Sequence, residues 1–138
     1  MPSILGQSAY IDHPVIASVL SWQAIGLPLL NNLRTAPTSA VWPTANKAIF
    51  VPFTLYRPYL VALLWCANGA TVSGNVDVGI YSVDGTRIVS SGSTAHSGTS
   101  AIQTFDIADT LIGPGYFYMA LALSNTTGTF QRIAAAVG

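Results

Sequence analysis

Charge is scarce in this sequence of 138 residues. Only 7% of the residues are Asp, Glu, Lys or Arg, in a balance of five acidic and five basic, and glutamate is absent altogether. Soluble domains carry about 25% charged residues, and a net charge near zero favours association. The mean hydropathy of +0.50 also favours association. The composition predicts a subunit of an assembly, whose surface is covered by partners. Because a basic stripe is missing, it predicts no nucleic-acid partner.

Cysteine and long apolar runs are also nearly absent. Cys66 is the only cysteine, which excludes an intrachain disulfide. It lies in the run LVALLWCA, where we expect a small buried hydrophobe. The apolar stretch 15–30 is interrupted by polar residues and proline, and it is shorter than the ~20 residues of a membrane helix. The sequence therefore predicts no membrane span, and its first residues do not resemble a signal peptide.

Motifs that carry chemistry are missing as well. No G-x-S-x-G element occurs, and His96 lies among small residues in TAHSGTS, where we expect an exposed loop histidine and no catalytic base. Asp106 and Asp109 flank a predicted strand end, where aspartate commonly caps a turn. His13 and His96 lie far apart in sequence, without the spacing of metal ligands. The sequence predicts no enzyme, no bound metal and no cofactor.

What the sequence does contain is alternation of apolar and polar residues. From Asn75 to Ser91 this pattern predicts one β-hairpin, with a type I′ turn at Asp84-Gly85. Its first strand would direct three apolar side chains into the core. These are Val76, Val78 and Ile80.

The rest of the chain after residue 46 also shows patterns typical of β-strands. Short strands separated by Gly and Pro turns predict an all-β domain at 47–138, an antiparallel β-sandwich of the jelly-roll type. The continuous apolar run Tyr59–Ala67 predicts a central strand buried on both faces. Pro52 indicates an edge position for the strand that contains it. The predicted strands are Ala48–Thr54, Tyr59–Ala67, the two strands of the hairpin, Ala101–Ile107, Tyr116–Leu123 and one that begins at Phe130.

Residues 1–46 differ from this domain. They hold five of the eight prolines, which break both helices and central strands. Large apolar side chains lie between the prolines, and such side chains are rare in disordered segments. We therefore predict a mostly non-regular N-terminal arm that anchors the chain on another subunit. Its candidate interface residues are Leu5, Ile16, Leu20, Trp22, Leu29 and Leu30.

Three segments resemble a known module. The run NGATVSGNVDVGIYSVDGTRIVSSGST, with the later QTFDI and GPGYFYMALALSNTTGTF, resembles a β-sandwich found in structural proteins of tailed bacteriophages. The resemblance covers Leu60 to Arg132. It implies a minor virion component of the capsid surface, neck or tail fibres. On this basis we expect a non-enzymatic decoration, cement or fibre-base subunit, located in the virion, homotrimeric like many such parts, with other virion proteins as partners.

Aromatic side chains support a second hypothesis. Tyr116 and Tyr118 share one face of their predicted strand with Ala120 and Ala122. That face suits either a neighbouring subunit or a glycan. The alternative function is a carbohydrate-binding module for adsorption to the host, carried on a tail or head fibre. A glycan hydrolase is disfavoured because no carboxylate pair lies in a credible cleft.

Overall fold

The structure is a computed structural model, and it describes residues 38–132. This part of the chain forms nine β-strands, all paired antiparallel, and it contains no helix that could span a membrane. The strands are β1 (Thr38–Val41), β2 (Ala48–Leu55), β3 (Tyr59–Ala67), β4 (Asn75–Ser82), β5 (Arg87–Ser90), β6 (Thr94–Ala95), β7 (Ile102–Ile112), β8 (Gly115–Leu123) and β9 (Thr129–Arg132).

The strand pairs are nested within one another. β1 pairs with β9, β2 with β8, β3 with β7, and β4 with β5 and β6. Successive pairs alternate between two layers. One layer has the order β2-β8-β4-β5, with β6 also on β4. The other holds β1-β9 and β3-β7, which meet at a bridge between Asn68 and Phe130. This wrapped arrangement is the antiparallel, jelly-roll-like sandwich that the sequence predicts.

Alternation along the strands builds the core between the layers. Val76, Val78 and Ile80 of β4 are buried, which confirms their predicted direction. They pack against side chains from both layers, and Cys66 is fully buried among them. The rest of the cluster consists of Trp42, Leu55, Leu64, Phe105, Ile107, Ile112, Leu121, Leu123 and Phe130.

The β4–β5 hairpin turns at Asp84-Gly85 as predicted, but the predicted turn type, I′, is wrong. That turn needs positive φ at both residues, and only Gly85 has it, at 87°. The Gly85 N–H donates to Ser82 O at 3.0 Å, and the Ser82 N–H donates to Thr86 O at 2.9 Å. The loop is therefore three residues long and ends in a left-handed glycine. The Asp84 carboxylate accepts hydrogen bonds from the Ser82 hydroxyl and the Thr86 N–H, which lower its pKa.

Residues 38–46, which the sequence assigned to the arm, are part of the sandwich. β1 pairs along its whole length with β9. Trp42 is buried, donates its Nε1–H to Lys47 O at 2.9 Å, and meets Phe130 edge-to-face at 5.4 Å. Residues 1–37 are called the leading segment below. All six predicted arm-interface residues lie in it, outside the described residues.

The prediction for β3 is wrong on one point. The strand has the predicted bounds, but Leu60 and Leu63 on its outer side are exposed, as is Leu111 on its partner β7. Their neighbours Leu64 and Cys66 point into the core. A continuous apolar run does not distinguish a strand covered on both faces from one whose outer face remains open.

Candidate functional site

An aromatic patch lies on the outer face of the β2-β8-β4-β5 layer. Antiparallel register places Pro52 beside Tyr118, and Tyr118 beside Tyr81. Phe50, two residues earlier on β2, lies beside Ala120. We use the name aromatic patch for Phe50, Pro52, Tyr81, Tyr116 and Tyr118, which share this face because side chains alternate along each strand.

The rings of the patch contact one another because the residues between them are small. Phe50 meets Tyr81 edge-to-face at 5.2 Å between centroids and Tyr118 at 6.3 Å. Ala120 and Gly79 are paired with each other in the register between these rings. A Cβ added to Gly79 would lie 3.1 Å from Tyr81 Cε2, so a larger residue there would displace the ring. The edge-to-face geometry is the arrangement that aromatic quadrupoles favour.

Much of the patch is open to solvent. Tyr116 is 72% exposed and Phe50 49%, whereas Tyr118 and Tyr81 are half-buried. Arg87 of β5 is the register partner of Tyr81 and provides a cation at one end. Such a surface can stack on a sugar ring or receive an apolar protein surface. The predicted pair, Tyr116 and Tyr118, both lie here.

The sequence analysis did not connect Phe50 and Tyr81 with this pair. Phe50 comes from β2 and Tyr81 from β4, the strands on either side of β8. Their meeting depends on the register of two strand pairs, which the local pattern does not determine. The available signal was Phe50 itself, an aromatic residue at an outward position of an alternating strand.

The opposite layer carries a second apolar surface. Leu60 and Leu111 are register partners, and Leu63 pairs with Asp106. All four are exposed, as is Ile102 at the start of β7. We call Leu60, Leu63, Ile102 and Leu111 the leucine face. It places exposed apolar side chains on the outside of β3 and β7.

His96 is buried, so the expectation of an exposed loop histidine is wrong. It is only 5% exposed, and its ring stacks on Phe130 with centroids 4.7 Å apart. His96 Nε2 lies 2.9 Å from Asn68 Oδ1, and Nδ1 lies 3.3 Å from the Ser73 amide nitrogen. Burial lowers the pKa of His96, although a contact with the Ser73 backbone opposes this. The neutral imidazole is therefore favoured.

Asn68 organises this polar cluster. The two hydrogens on its Nδ2 are shared among three acceptors, which are Ser97 O at 2.5 Å, Gly98 O at 3.1 Å and Gln103 Oε1 at 3.1 Å. These three acceptors fix the orientation of the amide, so that Oδ1 faces His96. Because Oδ1 only accepts, Nε2 carries the imidazole proton and Nδ1 accepts from the Ser73 N–H. The cluster ties the segment before β7 to the end of β3.

The cluster contains Cys, His and Asn, yet it is not arranged for thiol catalysis. A cysteine nucleophile needs the histidine next to the sulfur, with the third group behind it. Here the Cys66 thiol donates to Asn68 Oδ1 at 3.3 Å, and His96 lies on the other side of that amide. Burial raises the pKa of Cys66 to about 12, which keeps the thiol neutral. The arrangement is a structural hydrogen-bond network.

The two aspartates considered for acid-base work are exposed on β7. Asp106 pairs in register with Leu63, and Asp109 lies where β7 bulges against β3. Within residues 38–132, no three of the side chains His, Cys, Asp and Glu come together in a group that could hold a metal ion. His13 lies outside the described residues.

Comparison of this chain with protein-family models, with curated proteins and with solved structures found no match in any of the three.

Proposed function

We propose that this chain is a non-enzymatic structural subunit of a tailed-phage virion, in a decoration, cement or fibre-base role, held in place through its leading segment. The observation that carries the proposal is that both outer faces of the sandwich display large apolar side chains. The aromatic patch lies on one layer and the leucine face on the other. Two such faces on a chain with 7% charged residues are suited to contacts with neighbours.

The energetics of burial favour assembly. Covering a Leu, Phe or Tyr side chain stabilises a complex by roughly 1.5–3 kcal/mol if it becomes fully buried. Burial of several such side chains on each face can offset the entropy of association, which costs about 4–15 kcal/mol. We propose a homotrimer because many such virion proteins are trimers.

The chemistry of the described residues supports a non-enzymatic role. The Cys66 thiol is fully buried, and the His96 ring is held between Asn68 and Phe130. Both groups are buried in the folded chain, out of reach of a substrate in solution. The assignment to a tailed phage is supported by the resemblance of the strand and turn segments from Leu60 to Arg132.

Particle incorporation tests this proposal. The full chain, carrying a small C-terminal tag, is supplied during particle production beside a chain without residues 1–37. A matched control replaces 1–37 by a Gly/Ser segment of equal length. We expect the full chain to co-purify with particles and both variants to remain outside them, while both still melt cooperatively. Full incorporation of either variant contradicts attachment through the leading segment.

The aromatic patch supports the second candidate, a glycan-binding adsorption module. Exposed aromatic rings beside Arg87 are a platform on which sugar rings stack. Binding of the purified chain to host surface polysaccharide is the test. If a glycan is bound, Tyr116→Ala and Phe50→Ala should weaken binding. Tyr56→Ala, at another exposed tyrosine that follows β2, should not. Equal effects of all three substitutions contradict a site at the patch.

A further inference from the structure

A cavity of about 280 Å³ opens between the two layers at one edge of the sandwich. Its walls are mainly apolar and come from both layers. Ile49 and Leu121 are contributed by β2 and β8, and Phe130 by β9. The remaining lining residues are Ala40, Val41, Trp42, Pro43, Gln131 and Arg132.

The cavity is more open to solvent than a space enclosed by core side chains would be. Val41 is 63% exposed and Ile49 44%, although both belong to its lining. β1 and β2 are the last strands of their sheets in the described part of the chain. The Oε1 atom of Gln131 is buried there and has no hydrogen-bond partner among residues 38–132. An occupant would therefore bring apolar side chains and an N–H donor, as an extended peptide does.

The positive charge in the cavity lining indicates which kind of peptide would bind there. Arg132 is the only charged residue in the lining. Asp12 is the only acidic residue before Asp77, and the apolar residues Ile11, Val15 and Ile16 lie close to it in sequence. A segment that places one of these side chains in the cavity can bring its carboxylate to the guanidinium at the rim.

We propose that this cavity binds residues 11–16 of the leading segment of a second copy of the chain, with Asp12 beside Arg132. The reach is sufficient. Residues 12–37 span up to roughly 85 Å when extended, at about 3.3 Å per residue. A domain of this size has a radius of gyration of only about 14 Å.

The second copy is favoured over the chain's own segment by the composition and the surface of the chain. Only 7% of its residues are charged, and both outer faces of the sandwich expose large apolar side chains. Both features favour contacts between copies of the chain.

Disulfide trapping between two singly substituted full-length chains tests the proposal. Val15→Cys protein is mixed with Val41→Cys protein under mild oxidation, so that a mixed disulfide can form only between copies. The native Cys66 does not interfere, since it is fully buried. Val83→Cys is the matched control, because Val83 is 65% exposed in the β4–β5 loop, away from the cavity lining. We expect at least tenfold more mixed disulfide with Val41→Cys than with Val83→Cys.

Charge reversal tests the ion pair. Arg132→Asp should reduce the trapped fraction severalfold, and Asp12→Arg in the partner chain should restore it. Equal trapping with the control overturns the proposal. So does a disulfide that forms only within a doubly substituted Val15→Cys/Val41→Cys chain, because the chain's own segment then occupies the cavity.

This inference rests on the proposed assembly role, and the two fail separately. If the disulfide forms between copies but the chain is absent from particles, the docking site stands and the virion role is rejected. If the chain is incorporated into particles but no disulfide forms between copies, the virion role stands and the docking site is rejected.

Discussion

The imidazole of His96 donates from Nε2 to Oδ1 of Asn68, across 2.9 Å, in the interior of the sandwich. The same amide donates to the backbone of Ser97 and Gly98. One side chain at the end of β3 therefore holds the segment that precedes β7, and a histidine completes its hydrogen bonds. Protonation of that histidine should have consequences for stability.

We expect the free energy of unfolding to fall as the pH drops below about 6.5. Burial lowers the pKa of His96 from its ordinary 6.5 in the folded chain. Between the folded and unfolded pKa values the unfolded chain binds more protons, so acid favours unfolding. The contribution is complete above pH 6.5 and is lost progressively as the pH falls towards the lowered pKa. Urea unfolding at pH 7.5 and 5.0 measures the difference.

One variant separates this effect from general acid sensitivity. His96→Gln should be less stable at neutral pH, by roughly 1–3 kcal/mol for buried groups left without partners, and its free energy of unfolding should change less with pH than that of the wild type. An unchanged slope in His96→Gln contradicts the assignment.

The Cys66 thiol should not react in the folded protein. It is fully buried, and its pKa is raised to about 12, so thiolate is scarce at pH 8. We expect labelling by a disulfide reagent to follow global unfolding and to accelerate with denaturant. Stoichiometric labelling within seconds in native buffer is the outcome that disagrees with this packing.

The burial of alternate residues in the β4–β5 hairpin predicts effects of very different size for two similar substitutions. Val78→Asp places a charge at a position only 2% exposed and should prevent folding, since an unpaired buried charge costs more than the ~5–15 kcal/mol that stabilises a domain. Val83→Asp, in the exposed loop of the same hairpin, should change stability by less than about 0.5 kcal/mol. Solubility and cooperative thermal melting distinguish them. A soluble, cooperatively melting Val78→Asp protein is incompatible with the register.

Hydrolytic activity is not expected. Asp106 and Asp109 lie exposed on β7, and neither belongs to the lining of the cavity at the β1–β2 edge. Purified chain incubated with host polysaccharide should release no reducing ends above a buffer blank. Turnover that disappears in both Asp106→Asn and Asp109→Asn would reverse this conclusion.

The sequence predicted those parts of the fold that depend on local pattern. Alternation located Val76, Val78 and Ile80 in the core and placed Tyr116 and Tyr118 on one face of β8. Burial of every second side chain is a property of a single strand, so a window of a few residues is enough to recognise it.

The remainder depends on partners that are distant in sequence. β1 is four residues with the sequence TSAV, and its strand state comes from pairing with β9 at the other end of the domain. His96 lies in a polar loop, yet Asn68 and Phe130 bury it. Phe50 meets Tyr81 only through the register of β2, β8 and β4. Composition and periodicity do not contain these relationships.

The central claim is that this chain is a virion structural subunit. The direct measurement is its copy number in purified particles, determined by mass spectrometry against an isotope-labelled peptide of the chain. We expect a fixed number of copies per particle, a multiple of three for a trimer, retained after density-gradient purification and a high-salt wash. Particles without the chain, prepared from lysates that contain it, would contradict the claim.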